Sequence, residues 1–166
     1  MPHALTTTLA IVLALSSAGA RAADIAPTLH TSAGDAPSAC TGAGLAALRA
    51  DVMQAAAGRA PQDAWRLAHA LACARGRAAH RVIAAHLHGH VASRIEPGEP
   101  EISQVDANSG QLRDGYLKGL AWGARVQAKG DDLVVQFSTN AYCWAGATLR
   151  PAGQGWTLAE LNGGCD

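Results

Sequence analysis

Residues 120–137, LAWGARVQAKGDDLVVQF, mark the point at which the spacing of apolar residues changes along the chain. Apolar side chains occupy every second position from Leu120 to Val126, which is the period of a β-strand. Gly130 to Asp132 has the composition of a turn, and the alternation resumes from Leu133 to Phe137. This stretch therefore predicts a β-hairpin.

Two further strands are predicted downstream, from Ala141 to Leu149 and from Trp156 to Leu161. None of the four strands alternates with a long helix, and short connections favour antiparallel neighbours. The C-terminal half is thus expected to form a four-stranded antiparallel meander, with helices packed on one of its faces.

The half that precedes the hairpin has helical spacing, with apolar residues three and four positions apart. The first helix is expected to begin after Cys40 and end at Gly58, and the second to begin at Pro61, a favourable first-turn residue. A third helix is expected from about Arg77 to Arg94. The predicted fold class is α+β, with three N-terminal helices followed by the meander.

This order of elements, over about Thr41 to Asp166, resembles the general plan of cone-shaped α+β folds of the nuclear transport factor 2 or cystatin class. The resemblance concerns element order and implies that plan of fold. It implies no functional residue, since folds of this plan include enzymes, inhibitors and accessory modules.

The N-terminus resembles an export signal. A short apolar run at residues 9–15 is followed by small residues and Ala20-Arg21-Ala22, which predicts cleavage after Ala22. The product is expected to be periplasmic or secreted, with a flexible leader at 23–39 and one disulfide-stabilised α+β domain at 40–166. No second apolar run of membrane length follows, so no stable membrane insertion is expected after cleavage. A frayed apolar N-terminus is the alternative.

All four cysteines follow the predicted cleavage site, as in exported disulfide-bonded domains. If the first two helices form a hairpin that turns near Arg59, Cys40 and Cys73 fall at its open end. In the last strand pair, Cys143 and Cys165 also fall at the open end. We therefore predict the local pairs Cys40 with Cys73 and Cys143 with Cys165. A redox-active or metal-binding pair is the alternative, but no Cys-x-x-Cys spacing occurs.

Charge argues against a nucleic-acid partner. The chain has 13 basic and 13 acidic residues and only two lysines, Lys118 and Lys129. A surface built to neutralise phosphates needs a clear basic excess, which this balance does not supply.

Histidines concentrate in residues 80–90, with His86, His88 and His90 at alternate positions. On a strand these three would share a face and could bind zinc or copper together. On the predicted helix only His86 and His90 align, so a site needs a third ligand such as His88 or His69. Exposed histidines without a ligand role are the competing interpretation.

Basic residues also surround the predicted start of the third helix: Arg75, Arg77, His80 and Arg81. A helix N-terminus favours anions. No glycine-rich phosphate loop accompanies them, so a solvated basic face is the simpler interpretation.

No catalytic motif stands out. The serines lack a Gly-x-Ser-x-Gly context, and bridged cysteines leave no thiol nucleophile. The sequence therefore favours an exported binding, inhibitory or accessory protein, non-enzymatic, that acts on a protein partner in the envelope or outside the cell. The alternatives are a histidine-based metal-binding protein and a small hydrolase or isomerase with a pocket between helices and sheet. Any tryptophan left exposed on the sheet is expected to mark a binding surface.

Overall fold

The computed structural model describes residues 38–88, 90–94, 103–106, 121–138 and 142–165. The predicted signal peptide and the leader up to residue 37 lie outside the described residues. A short 3-10 helix precedes three α-helices and six strands in this part of the chain. Their bounds are Ser38–Cys40 for the 3-10 helix, α1 Gly42–Ala55, α2 Pro61–Ala72, α3 Gly76–Ala85, β1 His90–Arg94, β2 Ser103–Asp106, β3 Gly123–Lys129, β4 Asp132–Ser138, β5 Cys143–Ala152 and β6 Gly155–Cys165.

The strands form one mixed sheet in the order β2-β1-β6-β5-β4-β3. The four predicted strands are present as β3 to β6, a run of antiparallel neighbours. The prediction of a four-stranded, purely antiparallel sheet is wrong, however, because β1 adds to β6 in parallel and β2 pairs with β1 in antiparallel orientation. The α+β class is confirmed.

The prediction that the third helix continues to Arg94 is also wrong. α3 ends at Ala85, and β1 begins at His90. In a longer helix the carbonyl of His86 would accept the N–H of residue 90. It instead accepts the N–H of Leu158 at 2.9 Å and the hydroxyl of Thr157 at 2.8 Å, both from β6. Bonding to the sheet therefore ends the helix.

α1 and α2 form the predicted hairpin, and a disulfide joins Cys40, just before α1, to Cys73, just after α2. The first predicted pairing is confirmed. The carbonyl of Ala72 also accepts the N–H of Ala121 at 3.0 Å, which ties the end of α2 to the residues that lead into β3.

The β5–β6 hairpin explains why the second cysteine pair falls in register. Ala152 pairs with Gly155 across a two-residue turn, and a bulge at Thr148/Leu149 shifts the ladder by one residue. Cys165 then lies directly opposite Cys143. Cys143 is disulfide-bonded. The side chain of Cys165 lies outside the described residues, so its pairing with Cys143 stays a prediction that the register favours.

One hydrophobic core joins the helices to the sheet. Alternate residues of β4 are buried, Leu133, Val135 and Phe137, as the sequence period predicted. α1 contacts β3, and α2 contacts β6. None of the helices in the described ranges combines the length and apolarity needed to cross a membrane.

A close approach between β5 and β6 supplies a test of the sheet. Gly146 lies opposite Asn162, which is 1% exposed, and a Cβ at Gly146 would overlap the Asn162 Oδ1 and lie 3.2 Å from its Cγ. Gly146→Ala is expected to lower the free energy of unfolding by about 1 to 3 kcal/mol through overpacking. Urea denaturation measures this loss.

The same loss should nearly disappear when Gly146→Ala is made in an Asn162→Ala background, because the overlapping group is gone. Asn162 Oδ1 has no hydrogen-bond partner within the described residues, so Asn162→Ala by itself leaves no donor unpaired. A Gly146→Ala effect of equal size in both backgrounds would contradict this placement of Asn162.

Candidate functional site

Asp63 and His86 form a polar contact at the junction of α2, α3 and β6. Asp63 lies in the first turn of α2, and His86 caps the C-terminus of α3. Nε2 of His86 lies 3.0 Å from Asp63 Oδ1, and Nδ1 of His86 lies 2.6 Å from the carbonyl of Val82. His86 is 8% exposed and the Asp63 side chain is 27% exposed, so this contact is partly shielded from water.

Trp156, at the start of β6, completes the junction. Its backbone N–H donates to Asp63 Oδ2 at 3.1 Å, and its indole Nε1–H donates to the carbonyl of Arg59 at 2.8 Å. Gly155 is required beside it, because a Cβ there would lie 2.6 Å from Asp63 Oδ2. One carboxylate therefore connects two helices and a strand, a unit that we call the Asp63 junction (Asp63, His86 and Trp156).

The charge on Asp63 is stabilised in the fold. Burial acts to raise the pKa of Asp63, but the hydrogen bonds from His86 and from the Trp156 N–H, with the charges of His86 and Arg66, outweigh it and lower the pKa below its usual value. The nearest Arg66 nitrogen lies 4.0 Å from Oδ1. Asp63 is therefore an ionised acceptor at neutral pH.

The Asp63 junction has the form of an Asp-His pair but holds no reacting group. Both ring nitrogens of His86 face acceptors, which leaves neither available to take a proton from a nucleophile. The nearby hydroxyl of Thr157 already donates to the His86 carbonyl. The junction therefore acts as a structural tie between the helical hairpin and the sheet.

The histidines singled out for metal binding are dispersed over different elements. His86 is engaged as above, His88 is exposed after α3, and His69 of α2 packs on Trp65 with ring centroids 5.2 Å apart. His90 begins β1, and its side chain lies outside the described residues. The shared helical face expected for His86 and His90 is therefore absent. Within the described part of the chain no three His, Cys, Asp or Glu residues group as metal ligands. Zinc or copper binding stays a prediction.

The structure also shows where the basic residues near α3 lie. Arg75 is the N-cap of α3, and Arg75, Arg77 and Arg81 are all exposed. Arg81 Nε donates to the Arg77 carbonyl at 3.4 Å, so this arginine bonds to its own helix. The arrangement agrees with a solvated basic face.

An open groove of about 490 Å³ lies along the helical hairpin. One stripe of α1 supplies most of its lining, and α2 supplies Trp65. We call it the α1 groove; it is lined by Gly42, Leu45, Ala46, Arg49, Ala50, Met53 and Trp65. Its volume falls in the range of ligand and peptide sites.

No family model, curated protein or solved structure matches this chain. Its function therefore has to be inferred from its own residues. The α1 groove is one surface to consider, and two exposed aromatic residues form another.

Two large aromatic side chains are exposed at one end of the sheet. Trp122 is 37% exposed just before β3, and Tyr142 is 70% exposed just before β5. Both precede strands that flank the end of β4, where Ser138 pairs with Gly123 and Trp144. Trp122 is thus exposed next to the sheet, whereas Trp156 is buried at 6% exposure, and a binding role for Trp122 stays a prediction.

Sequence reasoning did not find the α1 groove or the Asp63 junction. The groove had a signal, since residues 42, 46 and 50 are Gly or Ala one turn apart on a stripe separate from the buried Leu48 and Val52. The junction had none, because Asp63 and His86 are 23 residues apart and belong to different helices.

Proposed function

We propose that this chain is an exported, non-enzymatic binding protein that engages a protein partner in the envelope or outside the cell through the α1 groove. The observation that carries the proposal is the groove itself. It is open to solvent, has a volume of about 490 Å³ and is lined mainly by apolar residues. A concave apolar surface that opens to solvent is typical of interaction sites.

The covalent and polar ties of the fold support this use, because they hold both walls of the groove. The Cys40–Cys73 disulfide joins the ends of α1 and α2. The Asp63 junction fixes α2, which carries Trp65, against β6. A groove held in its binding shape loses less conformational entropy when a partner docks.

Site-specific photo-crosslinking in the cells that make the protein tests this proposal. A benzophenone side chain is placed at Met53 in the groove, and, as a matched control, at Gln127, an exposed residue of β3. We expect one discrete heterologous adduct from position 53 and none from position 127. The adduct should weaken strongly when Arg49→Glu is added.

Three outcomes would contradict the proposal. They are adducts of equal yield from both positions, an adduct that consists of two copies of this chain, and the absence of any adduct from position 53.

A further inference from the structure

We infer that the partner presents an amphipathic helix to the α1 groove, with an acidic side chain near its middle that meets Arg49. This inference rests on the proposed function and specifies the chemistry of the partner at the same site. It follows from the small residues in the lining, from the hydrogen bonding within α1 and from the charge of the lining.

Part of the groove lining is a row of small residues on α1, which we call the groove floor. Gly42, Ala46 and Ala50 lie at successive turns of α1 and line the groove. Rows of residues four apart form the ridges and grooves through which helices pack, and small side chains let two helix axes approach closely. A helix is thus the element that fits along this floor.

The backbone of α1 argues against an extended peptide. A bound strand has to place its own N–H and C=O groups against unpaired backbone groups of its receptor. The internal N–H and C=O groups of α1 are already bonded to each other, as in any α-helix. A helical partner satisfies its own backbone groups and needs only side-chain contacts from α1.

The walls supply apolar anchoring. Leu45, Met53 and Trp65 are partly exposed and line the groove. A flexible thioether and a large indole adapt to and cover apolar side chains of a partner. Trp65 is also packed on His69, which restrains its ring. The apolar face of an amphipathic helix would therefore be covered here.

The charge of the groove lining indicates which charged side chain the partner carries. Arg49 is exposed in the middle of the α1 stripe, and none of the residues that line the groove in the described part of the chain is acidic. Arg49 also forms no ion pair there with another described residue. An opposite charge on the partner is favoured and a like charge is disfavoured.

The length of α1 sets the scale of the partner. Its 14 residues correspond to about 21 Å at 1.5 Å per residue. A partner helix of about three to four turns would match the groove from end to end.

Two synthetic helical peptides of equal length test the inference, with the whole protein as receptor. Both carry the same leucine stripe and differ in one central residue, Glu in one and Lys in the other. Fluorescence anisotropy should show the Glu peptide binding about fivefold more tightly than the Lys peptide, as expected for a single exposed charge pair. The preference should reverse with Arg49→Glu.

Arg77→Glu is the matched control, because it makes the same charge change on α3 away from the groove. It should leave the preference for the Glu peptide intact. Equal affinities for both peptides, or an unchanged preference in Arg49→Glu, would overturn the inference. Failure of both peptides to bind would overturn the helical class of partner, whereas the proposed function is decided separately by the Met53 crosslinking experiment.

Discussion

Asp63→Ala is expected to lower the free energy of unfolding by about 2 to 4 kcal/mol at neutral pH. The substitution removes the acceptor of two hydrogen bonds, from His86 Nε2 at 3.0 Å and from the Trp156 N–H at 3.1 Å. Each donor left without a partner in a poorly solvated site costs about 1 to 3 kcal/mol. Removal of the Asp63 carboxylate also breaks the link between α2 and β6, because this carboxylate joins them.

The effect of Asp63→Ala should depend on pH in a defined direction. The pKa of Asp63 is lowered in the fold, so its ionised form adds stability above the unfolded-state pKa of about 4. This contribution is lost as the pH falls through the folded-state pKa. Urea denaturation at pH 7 should separate wild type from the variant, and the two stabilities should converge as the pH falls through the lowered folded-state pKa of Asp63.

Asp131→Ala is the matched control for this comparison, because it removes an exposed carboxylate between β3 and β4. Its effect should stay within about 0.5 kcal/mol. A loss no larger than the control's, or a difference that persists unchanged at low pH, would contradict the role given to Asp63.

Removal of the Cys40–Cys73 disulfide, by the double substitution to alanine, should cost about 3 to 4 kcal/mol. The bridge closes a loop with a sequence separation of 33, and the entropy of such a loop in the unfolded chain gives a value of this size. Against a total stability of about 5 to 15 kcal/mol, the variant should melt at a markedly lower temperature.

We also expect the disulfide variant to bind its proposed partner less well, because the bridge holds α1 against α2 where they form the groove. The Met53 crosslink is expected to weaken at temperatures where the variant is still folded. Reduction of the wild-type protein provides the comparison without any substitution. An unfolding free energy within about 1 kcal/mol of the oxidised wild type would show that the bridge does not restrain the chain.

Elements with strong local periodicity could be predicted from the sequence. α1, α2 and the strands from β3 to β6 follow patterns of three and four or of two, and turns rich in Gly, Asp or Pro separate them. The local disulfide Cys40–Cys73 followed from the helical hairpin. Each of these depends on residues close in sequence.

One of the two strands that were missed, β1, depends on distant residues. β1 has five residues and pairs in parallel with residues 160–162 of β6. Its sequence continues the pattern of α3, but the His86 carbonyl accepts hydrogen bonds from β6 at the point where the helix ends. A short strand defined by a partner so far along the chain has no local signal.

The Asp63 junction and the α1 groove also depend on contacts between distant residues rather than on local patterns. The sequence indicated His86 only as a possible metal ligand, and its contact with Asp63 is a tertiary property. The α1 groove arises because the described residues leave a second face of α1 uncovered, and a sequence pattern shows the covered face more clearly than the open one.

Native mass spectrometry of the protein purified from its own envelope fraction tests the central claim most directly. We expect a species with the mass of this chain plus one partner polypeptide, less abundant when the same preparation is made from an Arg49→Glu strain and unchanged with Arg77→Glu. The chain alone, the chain with only a metal ion or small ligand, or an identical complex in both variants would contradict it.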